Sequence, residues 1–168
     1  AVEHADMEAT LSSAKLILVD NGNDPGLREL AAEEGWPQAL LISGQGNVGF
    51  GRAHNLALEQ GMGIFHLILN PDVELQPDAL AQALRFMTKH PDCGVLAPSV
   101  TETDGKRRFL CKRPPTVFDL FLRGFTPTRV RQLFAKRLAH YEMQDKARDS
   151  VLWDAPILSG CFMLCRAS

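Results

Sequence analysis

The sequence of 168 residues lacks any apolar run near the roughly 20 residues that a membrane-spanning helix needs, and its longest apolar stretches are strand-sized. It shows no signal-peptide pattern of charged, apolar and small regions. The four cysteines lack the paired spacing of a metal site, so we expect them to be reduced and structural: Cys93, Cys111, Cys161 and Cys165. No internal repeat or low-complexity tract is present. These absences lead us to expect a cytoplasmic globular protein.

The composition is that of one ordinary domain, but its charge is unevenly distributed. The net charge is −2, yet residues 106–148 hold twelve of the eighteen Lys and Arg and only three acids. Such asymmetry points to an anionic partner, whether a membrane surface, a nucleic acid or a phosphorylated substrate.

The first part of the chain alternates strand and helix patterns. Strands are predicted at 15–19, 39–42, 65–69 and 94–97, and helices beginning at Pro25 with Asp24 as N-cap, at Arg52 and at Pro77. Alternation of this kind predicts an α/β fold with a mostly parallel sheet covered by helices on both faces.

The second part predicts different elements. Thr103-Asp104-Gly105 is typical of a hairpin turn, and amphipathic helices are predicted at 117–122 and at 130–139, the latter with Thr128 as N-cap. Strands are predicted at 151–153 and at 157–165, the latter a buried strand entered through a small-residue turn.

Polar loops follow the predicted strands at positions where ligands bind in open α/β sheets. One begins at Asp20, a glycine-rich one spans 43–51, and the third is Asn70-Pro71-Asp72. A carboxylate held by the proline at Asp72 suits a divalent cation against phosphates, although a capped turn is the structural alternative. The glycine loop does not have the dinucleotide-fingerprint spacing, so NAD binding is not indicated.

Four motifs in order resemble the GT-A glycosyltransferases of family 2, and among these the bacterial rhamnosyltransferases: Val19-Asp20-Asn21, Gly46–Asn55, Leu69–Val73 followed by Pro77-Asp78, and Leu158–Met163. The resemblance implies a Rossmann-like three-layer sandwich with a mostly parallel sheet. It implies a single catalytic domain over 1–168. Because the family's opening strand and its acidic base motif find no counterpart, we expect that domain to be truncated at both ends, with 1–14 helical.

The resemblance also implies which residues bind the nucleotide sugar. Asp20 accepts hydrogen bonds from the base or ribose, and with Asn21 it suits a uracil, thymine or guanine edge. Arg52 contacts a phosphate and Asn55 a hydroxyl, whereas His54 is a packing or capping residue. The full implied set is Asp20, Asn21, Gly22, Asn47, Gly49, Phe50, Arg52, Asn55 and Asn70.

Asp72 stands at the last acid of the family's Asp-x-Asp motif, and Asn70 replaces the first. One carboxylate with the donor's own oxygens suffices for Mg²⁺ or Mn²⁺, which are hard cations that keep several waters. Bound there, the metal would neutralise charge on the departing nucleoside diphosphate.

Inverting transfer also needs a base for the acceptor hydroxyl. The family's base lies in a motif beyond the position of Ser168, so Asp154 is the candidate within this chain, with a polar loop residue as the alternative. On the acceptor side, Trp153 would stack on a sugar ring and Ser159-Gly160 would form a tight turn. Without that base we expect weak binding of donor and poor transfer.

The basic segment 106–148 is interleaved with phenylalanines, which is typical of an interfacial amphipathic surface. We expect it to contact a membrane peripherally, at the inner face of the plasma membrane. A solvated helical face is the alternative, and no recognition motif supports nucleic-acid binding.

Together these features predict a metal-dependent inverting glycosyltransferase of bacterial surface-polysaccharide synthesis. It would move a sugar, rhamnose being one candidate, from a dTDP-, UDP- or GDP-sugar to a saccharide or lipid-linked acceptor. One alternative is a non-catalytic nucleotide-sugar or polysaccharide-binding module. Another is a sugar nucleotidyltransferase, but its glycine- and Arg/Lys-rich phosphate loop is not seen.

Overall fold

A computed structural model describes residues 14–61, 63–102, 105–146 and 154–167. These residues form two compact units. The N-terminal unit consists of the described residues up to His66 together with Ala167, and the C-terminal unit consists of the described residues from Leu67 to Arg166. The strands are β1 (Ile17–Val19), β2 (Leu40–Ile42), β3 (Phe65–Leu69), β4 (Val95–Leu96), β5 (Val100–Thr101), β6 (Arg107–Arg108), β7 (Cys111–Lys112), β8 (Ile157–Leu158) and β9 (Phe162–Arg166). The helices are α1 (Leu27–Glu33), α2 (Phe50–Leu58), α3 (Ala79–Lys89), α4 (Val117–Phe125), α5 (Thr128–Leu133) and α6 (Ala135–Tyr141).

The N-terminal unit is built on the parallel pair β1 and β2, with Leu18 opposite Leu41. Parallel neighbours need a crossover, and α1 supplies it. Helix α2 packs on β1 and buries Ala53 and Ala57. The predicted strand–helix–strand order and the parallel pairing are confirmed in this unit.

The C-terminal unit contains, with β3 from Leu67 onward, a sheet of order β3-β9-β4, in which β4 and β9 are antiparallel. The central strand β9 buries Phe162 and Leu164. Helix α3 buries Leu84 and Met87, which belong to the face that was predicted to be apolar, so that prediction is confirmed. Pairs β5–β6 and β7–β8 are also antiparallel. The fold is therefore a mixed α/β one, and the predicted parallel arrangement is seen in β1–β2.

Three predicted helix starts were wrong by two residues. Helix α1 begins at Leu27 rather than at Pro25, because Asp24 Oδ1 accepts a hydrogen bond from Gly26 N (2.9 Å) in a turn that precedes the helix. Helix α3 begins at Ala79 rather than at Pro77, and α2 begins at Phe50 rather than at Arg52.

Two long elements predicted in the second part are each divided. Phe134, at φ −105°, ends α5 and precedes α6, and the residue before α5 is Pro127, so Thr128 is the first helical residue rather than the N-cap. The predicted segment 157–165 contains β8 and β9, and the predicted small-residue turn lies between them at Gly160. Strand β8 pairs with β7, while β9 lies between β3 and β4.

Other predictions in this part fared differently. The hairpin is confirmed by β5 and β6 on either side, although Thr103 and Asp104 lie outside the described residues. Residues 1–13 and 151–153 lie outside them as well. The four cysteines are free thiols, as expected. In the described part of the chain, no helix has the length and hydropathy needed to cross a bilayer.

A capping box fixes the start of α4 and joins it to α6. Thr116 Oγ1 accepts a hydrogen bond from Asp119 N (3.2 Å), and Asp119 Oδ2 accepts one from Thr116 N (2.9 Å). Arg137 Nε donates to Asp119 Oδ1 at 2.6 Å. Hydrogen bonds from Thr116 and then from Arg137 lower the pKa of Asp119 from 3.8 to about 2. The stability that this carboxylate contributes is thus present above 3.8 and is lost as the pH falls towards about 2.

Replacing Thr116 by Ala removes the cap, and we expect it to cost about 1 kcal/mol of unfolding free energy. In thermal denaturation this corresponds to a Tm about 2–4 °C lower. The matched control is Thr88→Ala on α3, whose hydroxyl donates to Leu84 O of the same helix (2.8 Å) and caps nothing, so we expect Tm to change by less than about 1 °C. Equal effects of the two substitutions would contradict a role for the cap.

Candidate functional site

The loop after β1 is organised around the carboxylate of Asp20, which is 7% exposed. Asp20 Oδ1 accepts a hydrogen bond from Gly22 N at 2.8 Å, and Oδ2 accepts one from Asp24 N at 2.6 Å. Each carboxylate oxygen has a second lone pair, so the group retains acceptor capacity beyond these bonds. Asp20, which was predicted to bind the nucleotide sugar, therefore also holds the loop after β1 in shape.

The loop after β2 is joined to this one. Gln45 Nε2 donates a hydrogen bond to Asp20 O (2.8 Å), and Gly44 N donates to Asn23 Oδ1 (3.2 Å). Asp20 N donates to Ile42 O (2.9 Å), which extends the pairing of β1 and β2 into the loops. Two of the predicted loops thus meet at the carboxyl ends of parallel strands.

Two buried amide oxygens in these loops have no hydrogen-bond donor within the described residues. They are Asn21 Oδ1 and Gln45 Oε1. Buried polar atoms are nearly always paired in proteins, so an orphaned pair points to a donor supplied by a ligand or by water. Asn21 was predicted to bind, whereas Gln45 was missed. The sequence signal for Gln45 is an amide side chain within a glycine-rich loop after a strand.

The third segment of the N-terminal unit is the turn into α2. Asn47 Oδ1 accepts a hydrogen bond from Gly49 N (3.0 Å), and Gly49 adopts φ 80°, which favours glycine, as the N-cap of the helix. Phe50 packs edge-on against His54, with ring centroids 4.4 Å apart. Burial, and then the charge of His66, lower the pKa of His54, which supports its prediction as a packing residue.

Arg52 and Asn55 lie exposed on α2. Across the described residues, neither side chain takes part in a hydrogen bond or ion pair. Both are thus available to a ligand.

In the C-terminal unit, the Asn-Pro-Asp segment forms a turn closed by Val73 N donating to Asn70 O at 3.3 Å. Asn70 N donates to Cys161 O at 3.0 Å, which joins this turn to the one containing Gly160. Two predicted segments, the cation-binding one and the acceptor-side one, are therefore neighbours.

Asp72 is exposed in this turn, and nothing in the described ranges hydrogen-bonds or ion-pairs with its carboxylate. No group of three or more His, Cys, Asp and Glu in those ranges is arranged to hold a metal. A single unengaged carboxylate suits Mg²⁺ or Mn²⁺ when the remaining ligands are substrate oxygens and water. The donor set thus fits a cation that binds together with a diphosphate.

Asp154 lies at the entrance to β8 with φ 56°, a strained conformation for a residue other than glycine. It lines a cleft of about 1050 Å³ in the C-terminal unit, together with Arg107, Arg108 and Asp78. Carboxylates and guanidinium groups lining one cleft suit the hydroxyls of a saccharide. Ser159 N donates to Leu110 O (2.9 Å), which anchors the end of β8, and the predicted stacking residue Trp153 lies outside the described residues.

Comparison with known proteins adds a family. The family model described as "Glycosyl transferase family 2" matches residues 5–168. A protein named N-acetylglucosaminyl-diphospho-decaprenol L-rhamnosyltransferase, from Mycobacterium tuberculosis (strain CDC 1551 / Oshkosh), is 27% identical over 108 residues, 58% of this chain and 35% of its own length. The protein of the same name from strain ATCC 25618 / H37Rv matches equally. The chain thus spans about a third of the length of these relatives. No solved structure matches significantly.

Proposed function

The chain belongs to glycosyl transferase family 2, and from this membership we propose that it transfers a sugar from a nucleotide sugar to a saccharide or lipid-linked acceptor, with inversion. Rhamnose is the proposed sugar, because the relatives are named as rhamnosyltransferases. The name of those relatives also contains N-acetylglucosaminyl-diphospho-decaprenol, which favours a lipid-linked acceptor here. With the family we propose the GT-A fold as well. The proposed setting is bacterial surface-polysaccharide synthesis.

The observation that carries this proposal is the pair of orphaned oxygens, Asn21 Oδ1 and Gln45 Oε1. A nucleobase or ribose presents N–H and O–H donors of the kind these acceptors need. Asp20 lies at the same place, since its carbonyl oxygen holds Gln45 at 2.8 Å. The N-terminal unit thus offers three hydrogen-bond acceptors, on Asn21, Gln45 and Asp20, to a ligand that carries N–H or O–H groups. We propose that this unit binds the nucleotide.

The diphosphate and the acceptor would use other residues. Arg52, exposed and unpaired in the described part of the chain, is the proposed phosphate ligand on α2. Asp72 would hold Mg²⁺ or Mn²⁺, which when bound neutralises the charge that develops on the leaving diphosphate. The cleft that Asp154 lines is the proposed acceptor side. Within this chain, Asp154 is the candidate to take the proton of the acceptor hydroxyl.

The test is a thermal-shift and calorimetric panel of dTDP-, UDP- and GDP-sugars, with and without Mn²⁺, on the wild-type chain and on Asp72→Asn. We expect one nucleotide to stabilise the wild-type chain, and Mn²⁺ to tighten its binding by about 10–100-fold, the range for one charge-stabilised contact. Asp72→Asn is expected to reduce the Mn²⁺ effect at least about 10-fold while leaving metal-free nucleotide binding unchanged, because a neutral amide oxygen attracts a divalent cation much less strongly than a carboxylate does.

Glu33→Gln, which removes an exposed carboxylate from α1, is the charge-matched control and should keep the full Mn²⁺ effect. If no nucleotide sugar binds, the proposed function is wrong. If nucleotide binds but Mn²⁺ acts equally on wild type and on Asp72→Asn, the metal site is wrong and the nucleotide site stands.

A further inference from the structure

An apolar stripe along α4 faces solvent. Its members are Val117, Leu120, Phe121 and Phe125, at the i, i+3, i+4 and i+8 spacing of one helix face, with relative exposures of 86%, 53%, 52% and 81%. Such a stripe normally faces a core. Among the side chains of the helix that the structure describes, those of Asp119 and Leu122 are buried, with exposures of 5% and 1%. Helix α4 therefore packs through another face and leaves its most apolar one uncovered.

The exposed surface continues beyond α4. Leu133, at the end of α5, is 82% exposed, and Phe134 is 37% exposed. The rings pack on each other rather than inward: Phe118 lies edge-on to Phe134 at 5.4 Å, and Phe121 stacks with Phe125 at 5.9 Å. We call the surface formed by these side chains the aromatic face: Val117, Phe118, Leu120, Phe121, Phe125, Leu133 and Phe134. A contiguous apolar surface of this kind marks an interaction site.

The charge beside the aromatic face is positive. Residues 106–148 contain twelve Lys and Arg against three acids. Two of the three acids are engaged by arginines of the same segment, Asp119 by Arg137 (2.6 Å) and Asp145 by Arg113 (2.9 Å). Lys136 and Arg131 are exposed and make no ion pair with any described residue. These two cations thus remain available to an anionic partner.

We propose that the aromatic face binds an anionic lipid bilayer. Helix α4 would lie in the plane of the interface, with its stripe among the acyl chains and the neighbouring cations at the headgroups. The positive charge of residues 106–148 favours a bilayer over a second copy of the chain, because dimerisation through this face would bring two positive segments together. A bilayer with anionic lipids satisfies both the apolar stripe and the excess cations. The inference does not rest on the proposed glycosyl transfer.

The experiment is flotation of the 168-residue chain with vesicles of phosphatidylcholine alone and of phosphatidylcholine with phosphatidylglycerol. We expect binding to the anionic vesicles and at least about 10-fold weaker binding to the neutral ones. Raising the salt concentration should weaken the anionic binding, since exposed charges are screened. Equal binding to both vesicles, or binding to neither, would overturn the proposal.

Two double variants separate the apolar and the charged contributions. Leu120→Gln/Phe121→Gln should weaken binding at least about 30-fold, from the lost burial of two large apolar side chains. Arg131→Gln/Lys136→Gln should weaken binding about 30-fold on anionic vesicles and leave neutral ones unaffected.

The controls remove matched groups elsewhere. Ile64→Gln removes a side chain that is 76% exposed, and Arg28→Gln/Lys89→Gln removes two exposed cations outside the segment. Both should bind as the wild type does. All positions in these variants are exposed, so circular dichroism should show unchanged folding. If the controls lose as much binding as the test variants, or if sedimentation shows a dimer that the Leu120→Gln/Phe121→Gln variant dissociates, the aromatic face has another occupant and the proposal is wrong.

Discussion

Replacing Phe162 by Ala is expected to lower the free energy of unfolding by about 3–5 kcal/mol. Phe162 is 1% exposed and lies on β9, the central strand of the order β3-β9-β4. Removing the ring leaves a cavity in the sheet's packed side, and neighbours attached to flanking strands can collapse into it only partly. Urea denaturation followed by circular dichroism measures the loss, which should appear as a lower midpoint.

Met163→Ala is the control on the same strand. Successive side chains of a strand point to opposite faces, and Met163 is only half-buried, so we expect a loss of less than about 2 kcal/mol. If Met163→Ala cost as much as Phe162→Ala, the alternation of burial along β9 would be wrong.

The strands of the first part could be predicted well because their signal is local. An apolar run bounded by polar turn residues identified β1, β2 and β3 to within two residues. Helix α3 was equally clear, because its apolar positions repeat at helical spacing. Helix starts were less accurate, since a turn such as that of Asp24 can precede a helix without belonging to it.

The elements of the second part could not be delimited from local pattern. The segment 130–139 is amphipathic throughout, and nothing in its periodicity marks the break at Phe134. The segment 157–165 is apolar apart from Ser159 and Gly160, and the pairing of its two parts follows from partners that are distant in sequence. Strand β8 pairs with β7, whereas β9 pairs with β4. Which strand pairs with which is decided by tertiary packing, which a single sequence does not display.

In the candidate site as well, residues in a recognisable local pattern could be proposed from the sequence, whereas a residue whose role depends on tertiary contacts could not. Asp20, Asn47 and Asn70 could be proposed as site residues, because they lie in polar loops after apolar strands and within motifs that resemble the family's. The role of Gln45 could not be identified. Its importance lies in an amide oxygen that is buried without a donor while its nitrogen is bonded to Asp20 O, which depends on how two loops meet.

Replacing Asp20 by Asn keeps the length of the side chain but removes its charge. We expect this substitution to weaken binding of the nucleotide sugar by about 100-fold or more. A carboxylate accepts at both oxygens, and here these bond to Gly22 N and Asp24 N. An amide nitrogen in place of one oxygen would face a backbone N–H, so one charge-assisted bond is lost and the loop is displaced. A hydrogen bond to a charged group contributes about 1.5–3 kcal/mol, and the ligand would lose a charged acceptor as well. Calorimetric titration with the nucleotide sugar found in the panel measures the change.

Two further variants isolate the cause. Gln45→Leu deletes an orphaned acceptor and keeps the Asp20 carboxylate, so we expect a smaller loss, about 10-fold. Asp24→Asn alters an exposed carboxylate of the same loop whose Oδ1 bonds Gly26 N (2.9 Å), and binding should change by less than about 3-fold. If Asp24→Asn lost as much affinity as Asp20→Asn, general loop distortion would explain the effect. If Gln45→Leu bound as tightly as the wild type, the orphaned oxygen would not be a ligand contact. The order Asp20→Asn, Gln45→Leu, Asp24→Asn, from weakest to tightest binding, is the one that a nucleotide held by these two loops requires.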